Sequence, residues 1–215
     1  MFNFNLQEML IRIPALIIAF TVHELVHGLT AYLLGDSTAK EDGRLSLNPL
    51  RHLDPLGFIF ILFFRFGWAK PVMVNLGNLK NPKWDYALIS VAGPLSNLLL
   101  AFIGTLIFVP LITNIGIIPM GGFWANFVYG FIHINIVLLV FNMLPIPPLD
   151  GSKFFSVWLP EQMYHAFHTS FARVGFLILM IFMFAGITGN IIGPMIETII
   201  SALLNLAVNI YGAFN

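Results

Sequence analysis

The chain contains no cysteine, so disulfides, thiolate metal ligands and a cysteine nucleophile are all excluded; any metal must be held by nitrogen and oxygen. Charge is scarce as well. Charged residues make up 9% of the 215 positions, against a usual share of roughly 25%, while apolar residues reach 58%. A soluble fold of this size has no use for so much apolar surface, which points to an all-α polytopic membrane protein embedded in a lipid bilayer. Net charge is zero, which by itself argues neither for nor against nucleic acid, and no nucleic-acid partner is expected. The first apolar stretch lacks a small-residue cleavage site, so it reads as a retained span rather than a removed signal peptide. No repeat, low-complexity tract or soluble domain interrupts the chain.

What is present is a series of apolar runs. Residues 9–34, 86–113, 122–145, 171–188 and 190–211 come close to or exceed the roughly 20 residues that cross a bilayer. Residues 56–66 are apolar but short, and fit a re-entrant element, a short tilted helix or part of a membrane-dipping sheet. The expected fold is therefore a bundle of five to six transmembrane helices. Arg44-Leu45-Ser46-Leu47 alternates, and Ala69-Lys70-Pro71-Val72-Met73-Val74 reads as extended. These two pieces are expected to pair as a small membrane-associated β element between the first spans. Lys40, Arg44, Arg51, Arg65, Lys70, Lys80 and Lys83 all lie between residues 35 and 84. The positive-inside rule places that segment and 146–172 in the cytoplasm, with 114–121 outside and five full crossings.

The chemistry is concentrated in His23-Glu24-Leu25-Val26-His27, inside the first span. Four residues advance a helix by only about 40° beyond a full turn, so both histidines share one face. Two imidazoles so placed can share a zinc ion, and the glutamate beside the first can act as general base. Ionisable groups are costly in lipid, which makes them functional candidates there by default. A hydrolytic zinc site needs a third protein ligand at a similar depth. Asp150 is the candidate. It follows an apolar span that stops in Leu144-Pro145-Ile146-Pro147-Pro148, and irregular backbone at membrane depth is tolerated only where protein or a water-filled cavity surrounds it. Two neutral imidazoles, one carboxylate and one hydroxide would bring zinc to zero net charge, a sensible state in low dielectric.

His23-Glu24-x-x-His27 with the downstream Asn142-x-x-Pro145-x-x-x-Leu149-Asp150-Gly151 resembles the site-2 protease family of intramembrane zinc metalloproteases, and its compact bacterial members in particular. Gly43-Arg44-Leu45-Ser46-Leu47-Asn48-Pro49, His52-Leu53-Asp54-Pro55, Trp68-Ala69-Lys70-Pro71-Val72 and Ala92-Gly93-Pro94-Leu95-Ser96-Asn97 are similar to that family too. The likeness runs from about residue 15 to 155, and no PDZ-like insertion separates the spans. It implies hydrolysis of peptide bonds in or beside transmembrane segments of a protein or peptide substrate. It carries over His23, His27 and Asp150 as ligands of one zinc ion per chain, and Glu24 as the catalytic base. It also implies Asn97 and Asn142 as substrate-backbone or oxyanion partners. On this reading residues 1–215 form a single intramembrane metalloprotease domain, with a catalytic core at 9–155 and a C-terminal transmembrane hairpin at 171–211. The setting is a bacterial cell membrane with the site toward the cytoplasm, and oligomers are compatible with it.

Two other classes use the same residues. A metal or proton transporter would string polar groups across the full membrane depth, and an inactive zinc-stabilised scaffold would have no need of Glu24. His52 and Asp54 read as turn-stabilising, His165 and His168 as an interfacial surface, and Glu197 in the last span has no assigned role.

Overall fold

The computed structural model describes residues 6–64, 69–113, 122–161, 163–164, 174–175, 177–179, 181 and 186–213. Its helices are α1 (Leu6–Leu33), α2 (Thr38–Glu41, a single turn), α3 (Pro55–Phe64), α4 (Pro82–Thr113), α5 (Phe123–Asn142), α6 (Asp150–Phe155) and α7 (Ile187–Gly212). Among the described residues four helices, α1, α4, α5 and α7, are long and apolar enough to cross a membrane. They answer to four of the five expected spans; half of the residues of the expected span 171–188 lie outside the described residues. The stretch 56–66 lies mostly within α3, whose ten residues reach about 15 Å, half the thickness of a hydrocarbon core.

The bundle packs through ridges at four-residue spacing. Along α1 one buried row runs through Ala15, Ala19, His23, His27 and Ala31; along α4 another runs through Ile89, Gly93, Asn97, Ala101, Thr105 and Val109. α5 adds Ile132, Ile136 and Val140. Such i±4 rows interlock between helices, and small residues let the backbones approach closely. The opposite ridge of α4 is Leu95, Leu99, Ile103 and Ile107, all exposed. In water that stripe would be an unsatisfied apolar patch, whereas lipid tails cover it at no cost.

Tryptophans mark the two ends. Trp84 at the start of α4 and Trp158 after α6 are both exposed and meet edge to face at 6.3 Å. Trp124, also exposed, stands at the opposite end, at the start of α5. Exposed indoles at both ends fit the headgroup levels of a bilayer.

The small β element is not formed: among the described residues there is no strand, only an isolated antiparallel bridge between Leu53 and Ala69. The reason lies in where the backbone groups of both pieces go. The Ser46 carbonyl takes a bond from the His52 ring at 2.7 Å. The buried Arg44 guanidinium donates to the carbonyls of Arg51 and Lys70. Pro71 has no N–H to give. Val72 N–H donates to Glu24 Oε2 at 3.1 Å, and Asn75 N–H to Asp36 Oδ2 at 2.7 Å. Side chains have replaced the partner strand, tying residues 70–75 to α1 and to the polar turn that follows it.

Asp36 is the hub of that tie. It is fully buried and also accepts from Thr38 Oγ1 at 2.6 Å and Asn78 Nδ2 at 2.8 Å. Burial alone would raise its carboxyl, but the bonds from Thr38, Asn78 and Asn75 outweigh that and hold it below the usual carboxylate value. Its stabilising contribution is therefore full above about pH 4 and is lost as pH falls through the lowered native value. We expect Asp36→Ala to cost about 1–3 kcal/mol near neutral pH. In thermal unfolding of the detergent-solubilised protein, the gap to wild type should narrow below about pH 4; a gap that widens on acidification would contradict this.

Candidate metal centre

His23 and His27 project from the buried ridge of α1 toward α4, and Asp150 reaches them from the first turn of α6. His23 Nε2 lies 3.0 Å from His27 Nε2, and Asp150 Oδ2 lies 3.2 Å from the first and 3.1 Å from the second. All three residues are buried. His27 touches Ile89, five residues along α4 from the exposed Trp84, or about 7–8 Å along the helix axis.

The outer ring nitrogens determine which atoms face inward. His27 Nδ1 lies 2.7 Å from the Ile89 carbonyl, which can only accept, so Nδ1 carries the proton and Nε2 the lone pair. For His23 the assignment passes through two amides. Asn135 Nδ2 donates to the Phe131 carbonyl, so Asn135 Oδ1 faces Asn97 and accepts from its Nδ2 at 2.9 Å. That leaves Asn97 Oδ1 to accept from His23 Nδ1 at 2.6 Å. Both Nε2 atoms and a carboxylate oxygen therefore converge as acceptors, with no donor among them if both rings are neutral. Such a cluster could hold a metal cation at its centre. Ligands at zinc's usual distance of about 2.0–2.1 Å in a tetrahedral arrangement stand about 3.3 Å apart, so a few tenths of an ångström of opening would suffice. The donor set, two imidazoles and one carboxylate, is that of hydrolytic zinc centres.

Two glycines make the meeting possible. A Cβ on Gly93 would lie 2.3 Å from His27 Nε2 and 2.8 Å from His23 Cε1, so the imidazoles rest directly on the α4 backbone. A Cβ on Gly151 would lie 2.3 Å from the Met143 carbonyl oxygen; only glycine lets the chain double back tightly enough to present Asp150.

Glu24 is buried, with Oε2 held by the Val72 N–H. It lines a cavity of about 60 Å³ together with His27, Val72, Tyr86, Asp150 and Lys153, room for a few waters and too small for a peptide. Asn97 was expected at the substrate. The structure buries it completely behind His23. Asn142 donates to its own helix at Leu138 O, 3.0 Å away, and does not line the cavity. Sequence reasoning missed Lys153, whose Nζ sits 3.0 Å from Asp150 Oδ1; its place three residues after the aspartate, on the same helix face, was the available signal.

Comparison with known proteins identifies the family of the chain. The model of peptidase family M50 matches residues 111–186, which include Asp150. Three similar proteins carry the name Putative zinc metalloprotease. YwhC of Bacillus subtilis is 40% identical over 194 residues, 89% of this chain and 88% of its own length. This chain belongs to peptidase family M50. MJ0611 of Methanocaldococcus jannaschii is 33% identical over 154 residues, 70% of this chain and 72% of its own. Rip2 of Mycolicibacterium smegmatis is 31% identical over 140 residues, 63% of this chain and 52% of its own. No solved structure matches the chain at a significant level. M50 is the family of the site-2 proteases that the two motifs resemble.

We expect Gly93→Ala to weaken zinc binding by about 10–100-fold or more, the range for disturbing groups that orient metal ligands, because the new methyl displaces both imidazoles. Chelator competition on the purified protein checks it. Zinc affinity equal to wild type would contradict the packing described.

Proposed function

We propose that this M50 chain is an intramembrane zinc endopeptidase that hydrolyses peptide bonds in or beside transmembrane segments of a membrane-embedded substrate. His23, His27 and Asp150 are assigned as the ligands of one zinc ion, and Glu24 as the general base. The observation that carries this is the convergence of three lone pairs at 3.0–3.2 Å beside a cavity that Glu24 also lines. When bound, zinc lowers the pKa of a water toward 7 and polarises a carbonyl. The Glu24 carboxylate lines the same cavity, where it would take a proton from the attacking water and return it to the leaving amine. Asn97 supports the reading as a positioning residue, since it fixes the His23 tautomer. Asn142 would have to leave Leu138 O to meet a substrate oxyanion.

A substrate helix hides its carbonyls in its own hydrogen bonds and must unwind before attack. Residues 71–74 are non-helical, and Pro71, Val72 and Val74 border the cavity, so an extended substrate stretch alongside them follows the physics of strand addition. The site end of the bundle carries Lys83 and Lys153 on helices α4 and α6, with the exposed Trp84 at the start of α4 and Trp158 after α6, which supports a cytoplasm-facing site by the positive-inside rule. The Bacillus relative favours a bacterial cell membrane. The catalytic unit is assigned to residues 9–155 of a single domain, and the helix at the end of the chain packs on α5 and α4. The peptidase family favours hydrolysis over transport.

Glu24→Gln should keep its zinc and lose cleavage of a model transmembrane substrate by at least about 100-fold, as expected for removal of a general base. Parallel metal analysis and cleavage assays in detergent check this. A Glu24→Gln protein that cleaves like wild type would remove the base assignment.

A further inference from the structure

The Asp150 carboxylate is divided between two neighbours. Oδ2 faces both histidine Nε2 atoms, while Oδ1 accepts from Lys153 Nζ at 3.0 Å. The two residues lie three apart in α6, so their side chains leave the same face of the helix. Lys153 is itself held: its ammonium stands 5.7 Å from the centre of the Tyr86 ring, and its side chain is only 28% exposed. It also lines the cavity shared by Glu24 and Asp150.

A carboxylate with two free oxygens can close on a metal with both. At a hydrolytic centre with three protein ligands, that would take up the position water needs. We propose that Lys153 is a positioning residue that keeps Asp150 a one-oxygen ligand and so leaves a ligand position open beside Glu24. The ammonium occupies the second oxygen with a charge-assisted hydrogen bond at 3.0 Å, a class stronger than neutral pairs. This inference rests on the zinc assignment of the preceding subsection.

Cobalt-substituted full-length protein in detergent gives a test that does not depend on turnover, because cobalt's visible absorption reports coordination number and geometry. Wild type should show intense four-coordinate bands. Lys153→Met and Lys153→Gln should both bind cobalt, shift to the weaker bands of higher coordination, and lose about 10–100-fold in kcat with KM little changed. Lys153→Arg, which restores a cationic donor, should recover the wild-type spectrum and most of the rate. Wild-type spectra and kcat in both neutral variants would overturn the inference, as would loss of cobalt from both. A wild type that takes up no cobalt or zinc would instead overturn the metal assignment beneath it.

Discussion

Three acceptor atoms pressed to 3.0–3.2 Å of one another, at depth in a helix bundle, repel unless a positive charge sits between them. Much of the surrounding structure can be read as holding them there against that repulsion. The Ile89 carbonyl and the Asn97–Asn135 relay fix the outer nitrogens, so neither ring can turn its N–H inward to relieve it. Lys153 holds one oxygen of Asp150 and leaves the other to the histidines. The zinc assignment is thus grounded in the hydrogen-bond directions as well as in residue types.

Close helix approach is the second requirement, and it has the same origin. The histidines occupy the same four-residue ridge as Ala15, Ala19 and Ala31, and they lie against Gly93 in the matching ridge of α4. Large side chains at those positions would separate the helices and with them the ligands. Lipid offers little driving force for helix association, so the packing of small residues and interhelical hydrogen bonds such as Asn97–Asn135 contribute what burial from water would supply in a soluble protein. Catalytic geometry and bundle stability are therefore carried by the same rows of residues.

The parts legible in the sequence were those set by spacing along one helix or by composition. His23 and His27 share a face whatever surrounds them, and four apolar runs became long helices. Asp150 could be inferred from its depth and its irregular approach. The roles of Asn97, Lys153 and Gly93 depend on how α1, α4 and α6 are rotated against one another, which period and hydropathy do not encode. The four-residue recurrence of alanine in α1 was visible and would have pointed to the packed face. The β element failed for a different reason: Arg44, His52, Glu24 and Asp36 supply hydrogen bonds that alternation alone assigns to a partner strand.

The central claim is that two imidazoles and one carboxylate oxygen hold a single zinc ion within the membrane domain. X-ray absorption at the zinc edge, on wild-type protein purified in detergent with one equivalent of zinc, reads that coordination shell directly. Two imidazole nitrogens and one or two oxygens at about 2.0–2.2 Å are expected, with the imidazole signal halved in His27→Ala. A shell without imidazole, or one unaltered by His27→Ala, would contradict the account.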